Sequence, residues 1–505
     1  MLLNRRKFVR SLAAATVALP AAKLWANAGF GASVPAVTGA GKATTLAASD
    51  IDDLRRSLRG QLLLAQDRGY DSARRLWNPM FDRHPALIAR CAGTEDVVQA
   101  VKFARAHDLL TAVRGGGHSL SGQSACDNGL MIDLSPMRDV RIDAQRKLGR
   151  AQGGALLGDL DRQTQAVGLV TTLGTATDTG IAGLTLGGGM GRLMRKHGLA
   201  CDNLRSVEIV TADGKVLRAG ASDNADLFWA VRGGGGNFGV VTSFEYQLHP
   251  LQDKVLDGVR VYSYDKAVSV IEAVNDLGRR APDELLLAAV LVNNPPSSPR
   301  PGRIALVGVT YLGDPSEGAR LLEPLNKLGP PLADEVSAKT YLEAQGAATS
   351  EAPVAVPVVT RSAPSYTKTG FTGAPSTPFC DELVRHFAAL PESVEAICVY
   401  GQVGGAVSRV APDATAYWNR MADYDLLIMG TWTDRSQDQD HIKALRGFWS
   451  GVERFTQGFY VNSEPGADDA RIRATYGDNY LRLRELKRKY DPGNLFRLNA
   501  NIKPA

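Results

Sequence analysis

Apolar positions along the chain follow two periods. Ile51, Leu54, Leu58, Leu62 and Ala65 recur at helical spacing and predict a helix over 50–68 that packs on the body. The next block alternates short strand-like runs with a helix. It has strands at 86–90, 111–113 and 131–134 and a helix over 94–107 with Thr94 as its N-cap, a βαβ-like α+β unit. Strands at 206–211 and 216–219 are joined by an Asp213-Gly214 turn, and an alternating strand at 240–248 closes the block. The middle region has fewer glycines, with strand-like runs at 303–307 and 396–400 and a helix at 381–389. Two stretches read as loops: 293–302, with four prolines, and 350–378, long enough to be a lid. Residues 29–41 are small and unpatterned and predict a tail, with order beginning near Ala47.

A chain of 505 residues is too long for one compact core, so two domains are expected. Its 58 basic and 53 acidic residues leave a net charge of +5 with no long Lys/Arg run, which argues against a nucleic-acid partner. At the N-terminus, the basic stretch from Arg5 to Arg10 precedes an apolar run over 12–22, and Ala26-Asn27-Ala28 offers a small-x-small cleavage site. This predicts a twin-arginine-type signal peptide over 1–28, transient use of that export machinery, and a periplasmic or secreted product. The apolar run is well short of the ~20 residues that span a bilayer, so cleavage is favoured over a stable membrane span. Export in the folded state requires any cofactor to be loaded inside the cell. Cys91, Cys126, Cys201, Cys380 and Cys398 are scattered without a C-x-x-C pair, which favours neither a disulfide framework nor a zinc site; no metal is expected.

Three glycine clusters carry the chemical signal: Gly115-Gly116-Gly117 before His118, Gly180 to Gly191, and Gly233 to Gly239. Successive unobstructed N–H groups make an anion-binding nest suited to a pyrophosphate, the alternative being three flexible surface loops. Gly234 to Gly239 satisfies G-x-G-x-x-G. A helical-looking 226–231 precedes it and a strand follows, the reverse of the dinucleotide-binding context. His118 sits against the first nest. A neutral imidazole there is a competent nucleophile toward a flavin 8-methyl group, though composition and spacing permit that bond without requiring it.

From about Trp77 to Pro250, and again from Phe459 to Pro504, the chain resembles the berberine-bridge-enzyme-like branch of the vanillyl-alcohol-oxidase flavoproteins. The matching stretches are VRGGGHSLSGQS, TGIAGLTLGGGMGRLMRKHGLACDNL, LFWAVRGGGGNFGVVTSFE and NYLRLRELKRKYDPGNLFRLNANI. The resemblance implies an α+β, two-domain FAD-binding fold. The implied division is a tail and helix over 29–75, an FAD-binding domain over 76–250, a substrate domain on an antiparallel sheet covered by helices over 251–455, and a C-terminal segment over 456–505 returning to the FAD domain. It also implies that His118 carries FAD covalently. Arg114, Gly115, Gly116, Gly117, Ser119, Thr179, Gly180, Gly183, Gly187, Gly188, Gly189, Gly191, Val240, Val241 and Asn499 then surround the cofactor. Many members add a second link through a Cys at the position of Ala176, so a single link is expected here.

The family commonly places a Tyr base last in a Y-x-N-Y sequence. Here that segment reads Tyr460-Val461-Asn462-Ser463, which leaves Ser463 at the base position. Tyr460 and Asn462 are expected to share a face of an extended segment, and with Gln402 they are the catalytic candidates. The activity implied is oxidation of a carbohydrate, alcohol or secondary-metabolite substrate, with hydride passing to FAD and then to O2. The alternatives are a dehydrogenase using a quinone or protein acceptor, and a flavin-loaded binding protein with little turnover.

Overall fold

The computed structural model describes residues 33–294, 301–346, 363–464 and 466–505; the signal-peptide reading lies outside them. The βαβ pattern folds as expected. Leu130–Asp133 lies between Leu87–Arg90 and Thr111–Arg114, parallel to both, and Gln61–Leu63 adds an antiparallel edge. The helix Thr94–Ala106 connects Leu87–Arg90 to Thr111–Arg114. Its N-cap is Gly93 rather than Thr94, whose hydroxyl donates to Glu208 Oε1 at 2.7 Å and so ties the helix to the next sheet.

That next sheet is five-stranded and antiparallel, in the order Val216–Gly220, Leu204–Val210, Val240–Gln247, Leu148–Gln152, Val140–Asp143. The first two strands make the hairpin expected around Asp213-Gly214. As read from the sequence, the helix Ala225–Val231 precedes the third glycine cluster and a strand follows it. Helices Asp469–Tyr476 and Asn479–Tyr490 from the C-terminus share this sheet's core. Buried Lys487 donates to Asp491 and to the carbonyls of Asn237 and Phe496, pinning the last residues beside the third glycine cluster.

The third sheet is eight-stranded and antiparallel. Helices Ala267–Gly278, Thr377–Ala388 and Asp438–Val452 bury one of its faces through Val270, Ile271, Leu383, Phe387, Leu445 and Phe448. The other face turns toward the glycine clusters. This is the α+β architecture the sequence implied, with a helix-covered antiparallel sheet in the second part.

Three sequence expectations are corrected. The helix read over 50–68 is Ala48–Ser57, because Arg59 and Gly60 donate their N–H groups to the Asp96 carboxylate, at 2.8 and 2.9 Å, and turn the chain into a strand. The tail before Ala47 contains a hairpin, Val34–Val37 with Ala43–Leu46, whose Val34, Ala36 and Leu46 are buried. The stretch 350–378 is not one loop: Ser365–Thr372 is an edge strand of the large sheet and Thr377–Ala388 begins a helix capped by Ser376, with Pro378 in its first turn. The remainder of that stretch up to 362, and 295–300 of the other loop, lie outside the described residues.

Candidate active site

A cavity of about 640 Å³ lies between the glycine clusters and the open face of the large sheet. Its floor is backbone. Gly115, Gly116, Gly117 and His118 leave the strand Thr111–Arg114, and Gly116 packs directly on Gly180: a Cβ at 116 would stand 2.5 Å from the Gly180 Cα. Only glycine lets those two loops approach so closely. Gly183, Gly235 and Gly236 line the cavity with nothing packed closely over them, so a ligand can reach their N–H groups. Among the described residues no Lys or Arg lines the cavity, so an anion there is held by backbone dipoles and neutral polar side chains. Asn499 Oδ1 and the Tyr476 hydroxyl are buried at its edge without a hydrogen-bond partner.

His118 stands in this floor with its ring fixed from two sides. Nε2 is 3.6 Å from Asp178 Oδ1, and the imidazole stacks on Trp77 with centroids 4.8 Å apart.

The opposite wall is made of side chains. In the strands Leu285–Asn294, Glu395–Gln402 and Tyr424–Thr431, one alternation points to the helices through Ala289, Cys398, Tyr400, Leu426 and Ile428. The other lines the cavity with Ala288, Ile397, Val399, Leu427 and Met429. Asp425 interrupts this apolar row. Its Oδ1 is buried with no hydrogen-bond partner, and burial alone pushes the carboxyl up to about 7. Phe371 and Gly401 are its cross-strand neighbours. Its charge acts on the hydroxyls of Tyr417 and Tyr460, which burial already holds in the neutral form.

Tyr460 comes from the C-terminal segment. Its hydroxyl oxygen accepts from the N–H groups of Gly189 (3.1 Å) and Met190 (3.4 Å) and from Asn462 Nδ2 (2.9 Å), and burial pushes it up to about 12. Asn462 also donates to the Leu184 carbonyl at 3.0 Å. The segment is a turn rather than extended, closed by Ser463 N–H to the Tyr460 carbonyl, yet Tyr460 and Asn462 meet as expected.

Residues 85–220 match the FAD binding domain family, and residues 460–503 match the berberine and berberine-like family. The uncharacterized FAD-linked oxidoreductase YgaK of Bacillus subtilis (strain 168) is 32% identical over 455 residues, covering 89% of this chain and 98% of its own length. The chain belongs to the berberine-bridge-enzyme-like FAD-linked oxidoreductases. Another relative, the (R)-6-hydroxynicotine oxidase of Paenarthrobacter nicotinovorans, is 30% identical over 478 residues, 89% of this chain and 97% of that one. The crystal structure of 6-hydroxy-D-nicotine oxidase from Arthrobacter nicotinovorans matches with a TM-score of 0.80 at 27% identity, covering 89% of this chain and 99% of that one.

The floor fits the cofactor of this oxidoreductase family: open glycine backbone whose N–H groups suit a pyrophosphate, and an edge of orphaned polar atoms. Of the residues expected around FAD, Gly115, Gly116, Gly117, His118, Ser119, Thr179, Gly180, Gly183, Gly191, Val240, Val241 and Asn499 line the cavity, and so does Ala176. Arg114 does not. Its guanidinium donates to Asp133 and lies beneath Gly117, so it braces the loop from behind. Gly187, Gly188 and Gly189 also stand back, packed against Asn462, Tyr417 and Ala200. Gln402 is at the wall, but its side chain turns to the helical face, donating to the Gly278 carbonyl and accepting from Leu287 N–H, so both ends of its amide are engaged there.

Residues that the sequence reading missed include Trp77 and Asp178 around His118, Gln123 and Phe496 at the cofactor floor, and Asp425. A signal for Asp425 exists: it is the one acid inside the apolar run Tyr424-Asp425-Leu426-Leu427-Ile428-Met429.

Proposed function

We propose that this FAD-linked oxidoreductase is an exported oxidase that carries FAD on a single covalent link at His118. It oxidises a carbohydrate, alcohol or secondary-metabolite substrate, with O2 as the final acceptor. The observation that carries the reading is His118 itself, set in a glycine loop at the cavity floor and oriented by Asp178 and Trp77. Ala176 has no thiol to make a second link. Bound FAD supplies the hydride acceptor; the protein supplies positioning and proton handling.

Burial keeps the proton on Tyr460 although three N–H groups point at its oxygen, so it acts as a hydrogen-bond donor to substrate rather than as a base. Asn462 holds it in place. Asp425 is the one carboxylate at the cavity among the described residues and takes the proton that oxidation releases. The export reading rests on residues 1–28 alone. Among the described residues no helix is long and apolar enough to cross a membrane.

The test is an anaerobic screen of sugars, alcohols and amines for loss of flavin absorbance, followed by admission of air. An oxidase yields one hydrogen peroxide per flavin reoxidised. Reoxidation by a quinone without peroxide would make it a dehydrogenase, and no bleaching by any class would leave a flavin-loaded binding protein.

A further inference from the structure

Behind the cavity floor, distant parts of the chain meet at Gln345, in the short helix Tyr341–Gly346. The residue is fully buried and every polar atom of its side chain is used. Nε2 donates to Asp161 Oδ2 at 3.1 Å and to the Gly174 carbonyl at 3.0 Å, and Oε1 accepts from Arg192 Nη1 at 2.8 Å. Two oxygens on one side and a guanidinium on the other give the amide a single orientation, since turning it over would set oxygen against oxygen and N–H against guanidinium. Asp161 belongs to the helix Leu157–Gln165, and Arg192 follows the second glycine cluster. The assembly is anchored in the large sheet, where Asp257 accepts from Arg192 Nε at 3.3 Å and from Thr310 Oγ1 at 2.7 Å.

Asp161 is itself buried, and its other oxygen has no hydrogen-bond partner among the described residues. Such a carboxylate is costly, so its retention calls for a task beyond packing. The backbone that this clamp grips is the stretch 171–176, which belongs to no strand. Gln345 holds the Gly174 carbonyl, and the Thr175 carbonyl accepts from Arg192 Nη1 at 3.4 Å. In a trans peptide the N–H points opposite to the C=O, so holding these two carbonyls from behind turns the N–H groups of Thr175 and Ala176 the other way. Gly174, Thr175 and Ala176 line the cavity, whereas Asp161, Arg192 and Gln345 do not. Among the described residues nothing accepts from either N–H.

Resting on the reading that FAD occupies this cavity, we propose that Gln345 is a positioning residue of the cofactor site, fixed by Asp161 and Arg192, that presents the N–H groups of Thr175 and Ala176 to the flavin. Those two dipoles stabilise the negative charge that a flavin carries once reduced, and so raise its midpoint potential. Through Asp257 and Thr310 the large sheet takes part in setting that potential without touching the cofactor.

The experiment uses the FAD-loaded protein. Flavin content and melting temperature are measured first, so that a wild type without cofactor counts against the FAD reading and not against this one. A redox titration with indicator dyes then gives the flavin midpoint potential. Gln345→Met, close in volume but without a donor, should lower it by about 30 mV or more, the two-electron equivalent of a tenfold loss of preference for reduced flavin. Arg192→Met, which releases the Thr175 carbonyl at the half-buried end of the clamp, should shift it the same way and decides the matter if Gln345→Met does not fold. Asp161→Asn still offers Gln345 an acceptor and should keep the wild-type potential. Leu325→Ala, which opens a cavity in the core on the helix-covered face of the large sheet, should lower the melting temperature and leave the potential alone. An unchanged potential in the clamp variants would overturn the proposal, as would a shift just as large in Leu325→Ala.

Discussion

Among the described residues, the floor of the cavity is glycine backbone with no lysine or arginine, while the facing wall is a row of alternating strand side chains broken by one carboxylate. The two surfaces solve different problems. A dinucleotide is the same molecule in every relative, so its site can be built from main-chain dipoles held by close loop packing such as Gly116 on Gly180. A substrate has to be told from others, and that needs side chains of chosen polarity on rigid strands. The floor therefore fails through geometry and the wall through chemistry.

The sharpest way to break this division is Asp425→Asn. It should leave flavin content intact and slow anaerobic reduction by substrate by ~10²–10⁴-fold, the usual range for loss of a proton acceptor, as read by stopped-flow absorbance. The same change has a stability signature of opposite sign. The carboxyl rises to about 7 in the fold, above its unfolded value. Its contribution is therefore fully present below the unfolded pKa and is lost as pH rises through about 7. The Asn variant should melt above wild type at pH 8 and level with it at pH 4, the difference at pH 8 being on the order of a few kcal/mol.

At the floor the reverse pattern is expected. Gly116→Ala drives a methyl into the Gly180 backbone and should cost about 1–3 kcal/mol, seen as a lower melting temperature and incomplete flavin loading. Tyr460→Phe removes the hydroxyl but not the ring. Flavin reduction should fall by at least ~10-fold, about 1.4 kcal/mol, with flavin content unchanged; equal rates would remove Tyr460 from the chemistry. The smallest effect on turnover belongs to Gln402→Ala. It loses the hydrogen bonds to Gly278 and Leu287 and about 1–2 kcal/mol of stability, yet leaves reduction within ~2-fold.

The same contrast explains what could be read from the sequence. Glycine clusters are local, so an anion nest beside His118 was legible from composition and spacing, while Thr179 and Gly183 were expected around the cofactor only through the family resemblance. The wall was not. Ala288, Val399 and Asp425 come from three strands and meet only through sheet register, and a hydrophobic pattern does not state which strands pair. Gln402 looked catalytic because of its place before Gly404-Gly405, but strand alternation puts its side chain on the helical face. The break in the 50–68 helix hung on Asp96, a side chain more than thirty residues away.

The claim that all of this depends on is the bond at His118. Acid-precipitated wild-type protein should retain its flavin absorbance in the washed pellet, and a tryptic digest should place the flavin on the peptide containing His118, while His118→Ala should release all of it to the supernatant. Flavin released from the acid-denatured wild type would contradict the account.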